Sequence, residues 1–496
     1  MRRHLRWLAA AVALVSLAAL VSCAVGPNYH PQPPLAVAGY GVPATGRVPS
    51  ATNAGVEYVD VAEVPVAWWT VFGASPLDDL VSEALRRSPT LAAAQAQLRQ
   101  SEDARRAGYG LYMPLLAADA SGARQRSAPL RLGSQQAGSI FSVFTLTGSV
   151  GYTIDVFGGR RRRVEVLNAQ ADEARENARA TYLTLTASVV QAAISRAAYA
   201  AQANSTRMLI EAIQNQVRLT DVRYRAGTIS YSDVVALQAQ AAALEATLPS
   251  LALREEQAGL LLSVLCGHAP SEWQAPLIEL SDYRMPSPMP VTLPSTLAKQ
   301  RPDVRAAEAR LHQSSANIGV ATADLFPTVT LTNSLGSASG GLSGLGDSVG
   351  RFWSVGGDAS MPIFAGGALW YTRRAAQEAY QASLQEYRAV VLAGLDQVAS
   401  SLRALDLDSQ ALAAANRSVT AANASRQLAE AAYQAGVSDY LAVLVAVRGE
   451  QTAQLFYLQS VAQRLQDAVA LFVALGGDWK AAPRDRVEGI SSAITP

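Results

Sequence analysis

The clearest chemistry in this 496-residue chain belongs to Cys23. It closes Leu20-Val21-Ser22-Cys23, behind a basic start (Arg2, Arg3 and Arg6) and a short apolar core over residues 7–20. That arrangement is a leader removed on export. Its ending has the form of a bacterial lipobox, cut before Cys23 so that acyl chains join the thiol and the new amine. The alternative is an ordinary secretion signal with Cys23 merely nearby. Ala24 supplies no aspartate of the kind that retains lipoproteins in the inner membrane, and several acyl chains anchor a protein stably.

Beyond Cys23 there is little reactive chemistry. Only Cys266 remains once Cys23 is acylated, so no intrachain disulfide forms. Within the apolar run 260–266 it reads as a buried structural thiol. His4 leaves with the leader, and His30, His268 and His312 lack metal-ligand spacing, which leaves exposed or capping roles. Residues 340–344 are glycine-rich but carry no lysine for a phosphate loop. No serine elbow or cysteine–histidine nucleophile motif is present. The chain reads as a non-enzyme whose only added group is covalent lipid on Cys23. The run Arg160-Arg161-Arg162-Arg163 is either a solvated cluster or a contact for anionic lipid headgroups.

Composition narrows the class further. A net charge of +1 leaves no nucleic-acid footprint. Charged residues make up 16% and hydrophobic ones 50%, much of it alanine, which suits closely packed helices with small contact residues. After the leader no apolar run approaches the roughly 20 residues of a membrane helix; 441–447 is the next longest.

The elements that organise the chain lie between residues 141 and 225. From 145 to 156 the sequence alternates, with Leu146, Val150, Tyr152, Ile154 and Val156 on one side and Thr145, Thr147, Ser149 and Thr153 on the other. That is a strand with two unlike faces. Phe157-Gly158-Gly159 ends it, and no glycine or proline follows until Gly227. A helix over 160–225 spans roughly 100 Å at about 1.5 Å per residue.

The design appears twice. Trp353, Val355, Ala359, Met361 and Ile363 alternate again, and a helical stretch then runs to Gly436. Pro89 maps to Pro302 at an offset of 213, and Gly227 to Gly436 at 209. This is a duplicated unit rather than a short-period repeat. The expected segments are a leader (1–22), an extended arm (23–74) and a first repeat (75–265). The first repeat holds a β-hairpin (115–157) and a long helix pair (160–265). A proline-rich joint (266–295) leads to a second repeat (296–475), with a hairpin (326–364) and a helix pair (366–475), and a tail (476–496). Arm, joint and tail are expected to form one belt around the helices, and Pro249 to bend or break the first return helix. Each chain then supplies four strands, too few to close a membrane barrel, which needs at least about eight. Chains must pool them.

Several motifs carry a family resemblance over essentially the whole mature chain. They are residues 23–29 (Cys-Ala-Val-Gly-Pro-Asn-Tyr), 155–160 (Asp-Val-Phe-Gly-Gly-Arg), 300–308 beginning Gln300-Arg301-Pro302, 317–327 ending Phe326-Pro327, and Tyr433-Gln434-Ala435-Gly436. They resemble the TolC-type outer membrane factors, in the NodT/OprM-like lipoprotein branch. The resemblance implies a membrane α+β fold. A homotrimer would form a 12-stranded outer-membrane β-barrel continued by a 12-helix periplasmic α-barrel, with a mixed equatorial belt. It implies an exit duct for small molecules such as drugs in tripartite efflux. The partners would be a periplasmic adaptor, an inner-membrane pump of the resistance–nodulation–division type and outer-membrane lipid. A duct for type I protein secretion and a non-conducting coiled scaffold are the rivals.

The same resemblance implies a gate near the helix turns at Gly227 and Gly436, closed by polar links. Asp233, Tyr433 and Arg448 match family positions, and a Tyr433–Asp233 hydrogen bond is the expected latch. Val445 replaces a common aspartate, and Ser438 a usual arginine. The constriction is therefore expected to be partly hydrophobic, through Leu441, Leu444 and Val445, unless these only pack helices together.

Overall fold

The structure is a computed structural model that describes residues 24–33, 58–60, 67–126, 138–291 and 300–477. Cys23 and most of the tail lie outside them. In chain order the main elements are β1 (Tyr58–Asp60), α1 (Ser75–Arg87), α2 (Pro89–Tyr109), β2 (Leu115–Arg126) and β3 (Ile140–Ile154). Then come α3 (Gly159–Arg225), α4 (Tyr231–Glu245), α5 (Leu248–Leu265), β4 (Met289–Val291) and α6 (Pro302–Ala323). The second half continues with β5 (Thr328–Ser339), β6 (Arg351–Ser360), α7 (Ala368–Gln434) and α8 (Tyr440–Ala474).

The duplication shows in the helices. α3 and α7 each run 67 residues. Where the repeats differ, a proline decides. Pro249 enters the first turn of α5, where its missing N–H costs no helical bond, and the first return is split into α4 and α5. The second return has no proline and runs unbroken for 35 residues as α8.

Contacts divide the chain into two compact units, each drawing on both repeats: Met1–Gln32 with Leu98–Ala174 and Ala307–Tyr387, and the remainder. The first unit holds one antiparallel sheet in the order β2-β3-β5-β6. β2 alternates poorly in sequence, yet it pairs with β3 along its whole length. Val156, Met361 and Ile363, expected on the apolar strand faces, lie beyond the strand ends. The Asp155 carboxylate accepts the backbone N–H groups of Arg160 and Arg161, so the chain turns away there to cap α3. Pro362, without an N–H for the ladder, follows the end of β6.

The second unit holds the larger apolar core. Trp68 stacks on Phe472 with centroids 5.6 Å apart, and Phe72 meets the same ring edge-on. Around them close Leu77 and Leu80 of α1, Ile194 of α3, Leu262 of α5, Met289, Leu402 of α7 and Leu465 of α8, all buried. β1 pairs in parallel with β4, which joins the arm to the proline-rich joint. Cys266 is fully buried against the Leu80 carbonyl (3.7 Å), and burial pushes its thiol up to about 11.

One pair in this unit is pH-sensitive. The Asp408 carboxyl of α7 faces that of Asp467 on α8, near enough to share a proton, with Arg464 nearby. Burial, then the neighbouring carboxyl, pushes Asp408 from 3.8 up to about 7. A raised folded value means stability fully present below pH 3.8 and lost as pH rises through about 7. Asp408→Asn is therefore expected to raise the melting temperature more at pH 8 than at pH 5. Equal shifts at the two pH values would contradict the shared proton.

Candidate functional site

Residues opposite one another in a ladder share a face, so the register sorts the sheet. One face carries Leu116, Leu146, Val150, Tyr152, Ile154, Val329, Leu331, Leu335, Trp353 and Val355. The other carries Asp119, Ser121, Thr145, Thr147, Ser149, Thr153, Thr330, Thr332, Ser334, Ser354 and Asp358. Hydroxyls meet across strands on the polar face: Thr153 with Thr330 at 3.2 Å and Ser334 with Ser354 at 2.7 Å. The contrast fades toward the helix-distal ends, where Phe141, Val143 and Phe352 sit on the polar side. In a single chain the apolar face is bare, with Leu335 63% and Trp353 76% exposed. A surface of that size needs a cover.

The strand–helix junction holds the N-terminal arm. Val25 donates its N–H to the Phe157 carbonyl at 3.0 Å. Gly158 has φ +79°, and a Cβ there would meet the Ala24 Cα at 2.6 Å, so both the turn and the arm's approach require glycine. Arg162, only 4% exposed, donates to the Val25 and Gly26 carbonyls, to Asn28 Oδ1 at 2.8 Å and to Glu165 at 2.7 Å. Tyr29 stacks on His312, whose Nε2 meets Glu165 at 2.8 Å. Within the chain each arginine of the run has a partner, although Arg163 stays exposed. Arg160 bonds the Leu111 carbonyl, Arg161 pairs with Asp155, Arg162 clasps the arm and Arg163 faces Asp324 at 3.7 Å. Two histidines are likewise more engaged than expected, since His268 stacks on Trp273 and meets Glu83 at 2.8 Å. Among the described residues no group of three or more acidic, histidine or cysteine side chains is placed to hold a metal.

The helix turns close alike. Gly227 (φ +74°) and Gly436 (φ +71°) take the left-handed conformation that favours glycine. Thr228 N–H reaches back to the Arg223 carbonyl, and Val437 N–H to that of Ala432. Ser230 and Asp439 then cap α4 and α8 with side-chain oxygens. Beneath the turns, Tyr440, Val443 and Val447 of α8 pack with Leu237 and Leu244 of α4 and Ile210 and Ile213 of α3. Tyr433 joins this cluster, edge-on to Tyr440 at 4.9 Å and with the Arg223 guanidinium 5.7 Å over its ring. Its hydroxyl is buried and has no hydrogen-bond partner among the described residues, as is the case for Ser438.

The two halves of this architecture match one known profile, that of the outer membrane efflux proteins, over residues 80–268 and 293–477. The chain belongs to that family. The pyoverdine export outer membrane protein OpmQ of Pseudomonas aeruginosa is 29% identical over 423 residues, covering 83% of this chain and 87% of OpmQ. The toluene efflux pump outer membrane protein TtgF of Pseudomonas putida is 28% identical over 464 residues, covering 93% and 95%. Among solved structures, the outer-membrane channel OprN superposes with a TM-score of 0.84 at 28% identity, covering 92% of this chain and all of OprN. As an outer membrane efflux protein the chain is a transport duct, not an enzyme.

In this efflux protein the expected gate residues divide into two groups. Leu444 is half-buried against the turn cluster, whereas Leu441 and Val445, four residues apart on α8, are 63% and 65% exposed and Arg448 is exposed. Asp233 lies in the first turn of α4. The Tyr433–Asp233 hydrogen bond is not made within the chain, because the Tyr433 ring is turned into the aromatic cluster.

Proposed function

We propose that three copies pool their sheets into a twelve-stranded outer-membrane barrel, continued by their long helices as a periplasmic tunnel. The observation that carries this reading is the sheet itself, with two unlike faces and two unpaired edges, β2 and β6. Hydrocarbon tolerates no open edge. Neighbours in β2-β3-β5-β6 are antiparallel, so β6 of one copy meets β2 of the next in the antiparallel sense and the ring closes evenly. The apolar face then meets lipid and the polar face lines water. Acyl chains on Cys23 anchor the arm beside the barrel base. A periplasmic adaptor and an inner-membrane pump of the resistance–nodulation–division type feed the tunnel, and the cargo is small molecules such as drugs. Expression of the full chain tests this: the trimer is expected in the outer-membrane fraction, resistant to SDS until heated. A soluble monomer would overturn the reading.

The tunnel is closed at rest at the helix turns. Leu441 and Val445 face the opening, and Tyr433 swings out of its cluster with Tyr440 to donate its hydroxyl to Asp233 across the seam between copies. Such a bond to a charged group contributes about 1.5–3 kcal/mol per protomer. Asp233→Ala with Tyr433→Phe is expected to raise resting conductance and sensitivity to large antibiotics. Unchanged conductance in folded trimers of the double variant would remove the latch.

A further inference from the structure

The sheet sorts its charges as well as its apolar groups. Arg124 and Arg126 end β2 and Arg351 begins β6, and the register puts all three on the face of Leu116, Leu146 and Leu335. Asp119 and Asp358 stand on the opposite face. No acidic residue shares the arginines' face among the described strand residues. Arg124, Arg126 and Arg351 are exposed, and among the described residues Arg351 donates to the Gly346 carbonyl at 3.3 Å.

Their position along the strands follows the membrane. From Ile154 to Leu146 is eight steps, about 27 Å of strand and about 21 Å of height at a tilt of about 40°, close to the apolar band of a membrane barrel. Arg351 stands at the level of Ser337 and Leu146, and Arg124 pairs with Ser142, beyond it. Phe144 and Trp353 share the face at this boundary, where barrels carry aromatic girdles. The helix-proximal end carries no arginine on this face within the strands. Closing the ring brings the β6 edge of one copy, with its arginine, beside the next copy's β2 edge.

We propose that this basic rim binds the phosphate groups of the phosphorylated glycolipid of the outer leaflet. The proposal rests on the barrel reading above. Arginine suits it because the planar guanidinium meets phosphate through two parallel hydrogen bonds, and its long stem lies along apolar surface while the charge reaches the interface.

The test uses purified full-length trimer and three probes: bisphosphorylated lipid A, the same lipid with its phosphates removed, and inorganic phosphate. Wild type is expected to bind the bisphosphorylated lipid, with the Arg124→Gln/Arg126→Gln/Arg351→Gln variant about tenfold weaker. Asp119→Asn/Asp358→Asn is expected to bind as wild type. Single changes guard against loss of assembly: each is expected to weaken binding about threefold, and none doing so would overturn the proposal. Equal binding of the dephosphorylated lipid, or equal competition by inorganic phosphate, would overturn it too. Conductance is scored on the same preparations. Conducting trimers whose lipid binding ignores the arginines sink only the rim contact, whereas wild type that neither trimerises nor conducts sinks the barrel reading beneath it.

Discussion

Arginine at Val150 or Leu335 is expected to cost about 2–4 kcal/mol per site and to cut the yield of outer-membrane trimers sharply, while arginine at Ser149 or Ser334 leaves assembly nearly intact. The four positions sit side by side: Val150 is opposite Asn333, and Ser149 is opposite Ser334. Distance from the helices is therefore matched and the introduced residue is the same, so the face is the main difference. A charge on the lipid side enters hydrocarbon with no partner, whereas the polar side already holds hydroxyls and the Asp119 and Asp358 carboxylates. The SDS-resistant trimer fraction measures the effect. Equal losses at 149 and 150 would contradict the face assignment.

Arg162→Ala is expected to release the arm and destabilise the chain by about 3–5 kcal/mol, the range for removing one partner of a buried ion pair. Three arm acceptors and Glu165 lose their donor together. The guanidinium is buried, but Gly26 and Asn28 are exposed and water can replace part of what they lose, which places the effect at the low end of that range. Glu165 keeps His312, which bounds the loss from above. Arg162→Lys restores charge without the fork and is expected to recover part of the stability. Thermal unfolding reads the size, and protease nicking near residue 33 reads the arm. An arm that stays protected in Arg162→Ala would show that the Val25–Phe157 bond and the Tyr29–His312 stack hold it unaided.

The first long helix, α3, was legible because the stretch after Gly159 holds no glycine or proline until Gly227. α7, with its Gly394, was legible through the repeat, and Pro249 announced the break in the first return. β2 was legible only through its repeat partner, since Ala117, Ala118, Ala120 and Ala123 mute any alternation. The partners of the arginine run were not legible, because sequence shows four like charges in a row but not their acceptors. Asn28 lies 134 residues from Arg162, and the Leu111 carbonyl 49 from Arg160. A nearer signal was Asp155, five residues ahead of Arg160, a capping acid before a helix. At the turns, spacing found Gly227 and Gly436 but not the side-chain directions. Tyr433 turns inward onto Tyr440 because an aromatic pair there buries more surface than an exposed ring.

The central claim is that water passes along the polar face of the sheet, and thiol accessibility in conducting trimers tests it most directly. Cys266 is buried with its thiol held well into the alkaline range, so each new cysteine is read against a quiet background. Single cysteines at 145–154 are placed in planar bilayers and exposed to a charged, membrane-impermeant thiol reagent. At Thr145, Thr147, Ser149 and Thr153 the reagent is expected to lower the current, and at Leu146, Val150, Tyr152 and Ile154 to leave it unchanged. Trimers that do not conduct, or current loss without this alternation, would contradict the account.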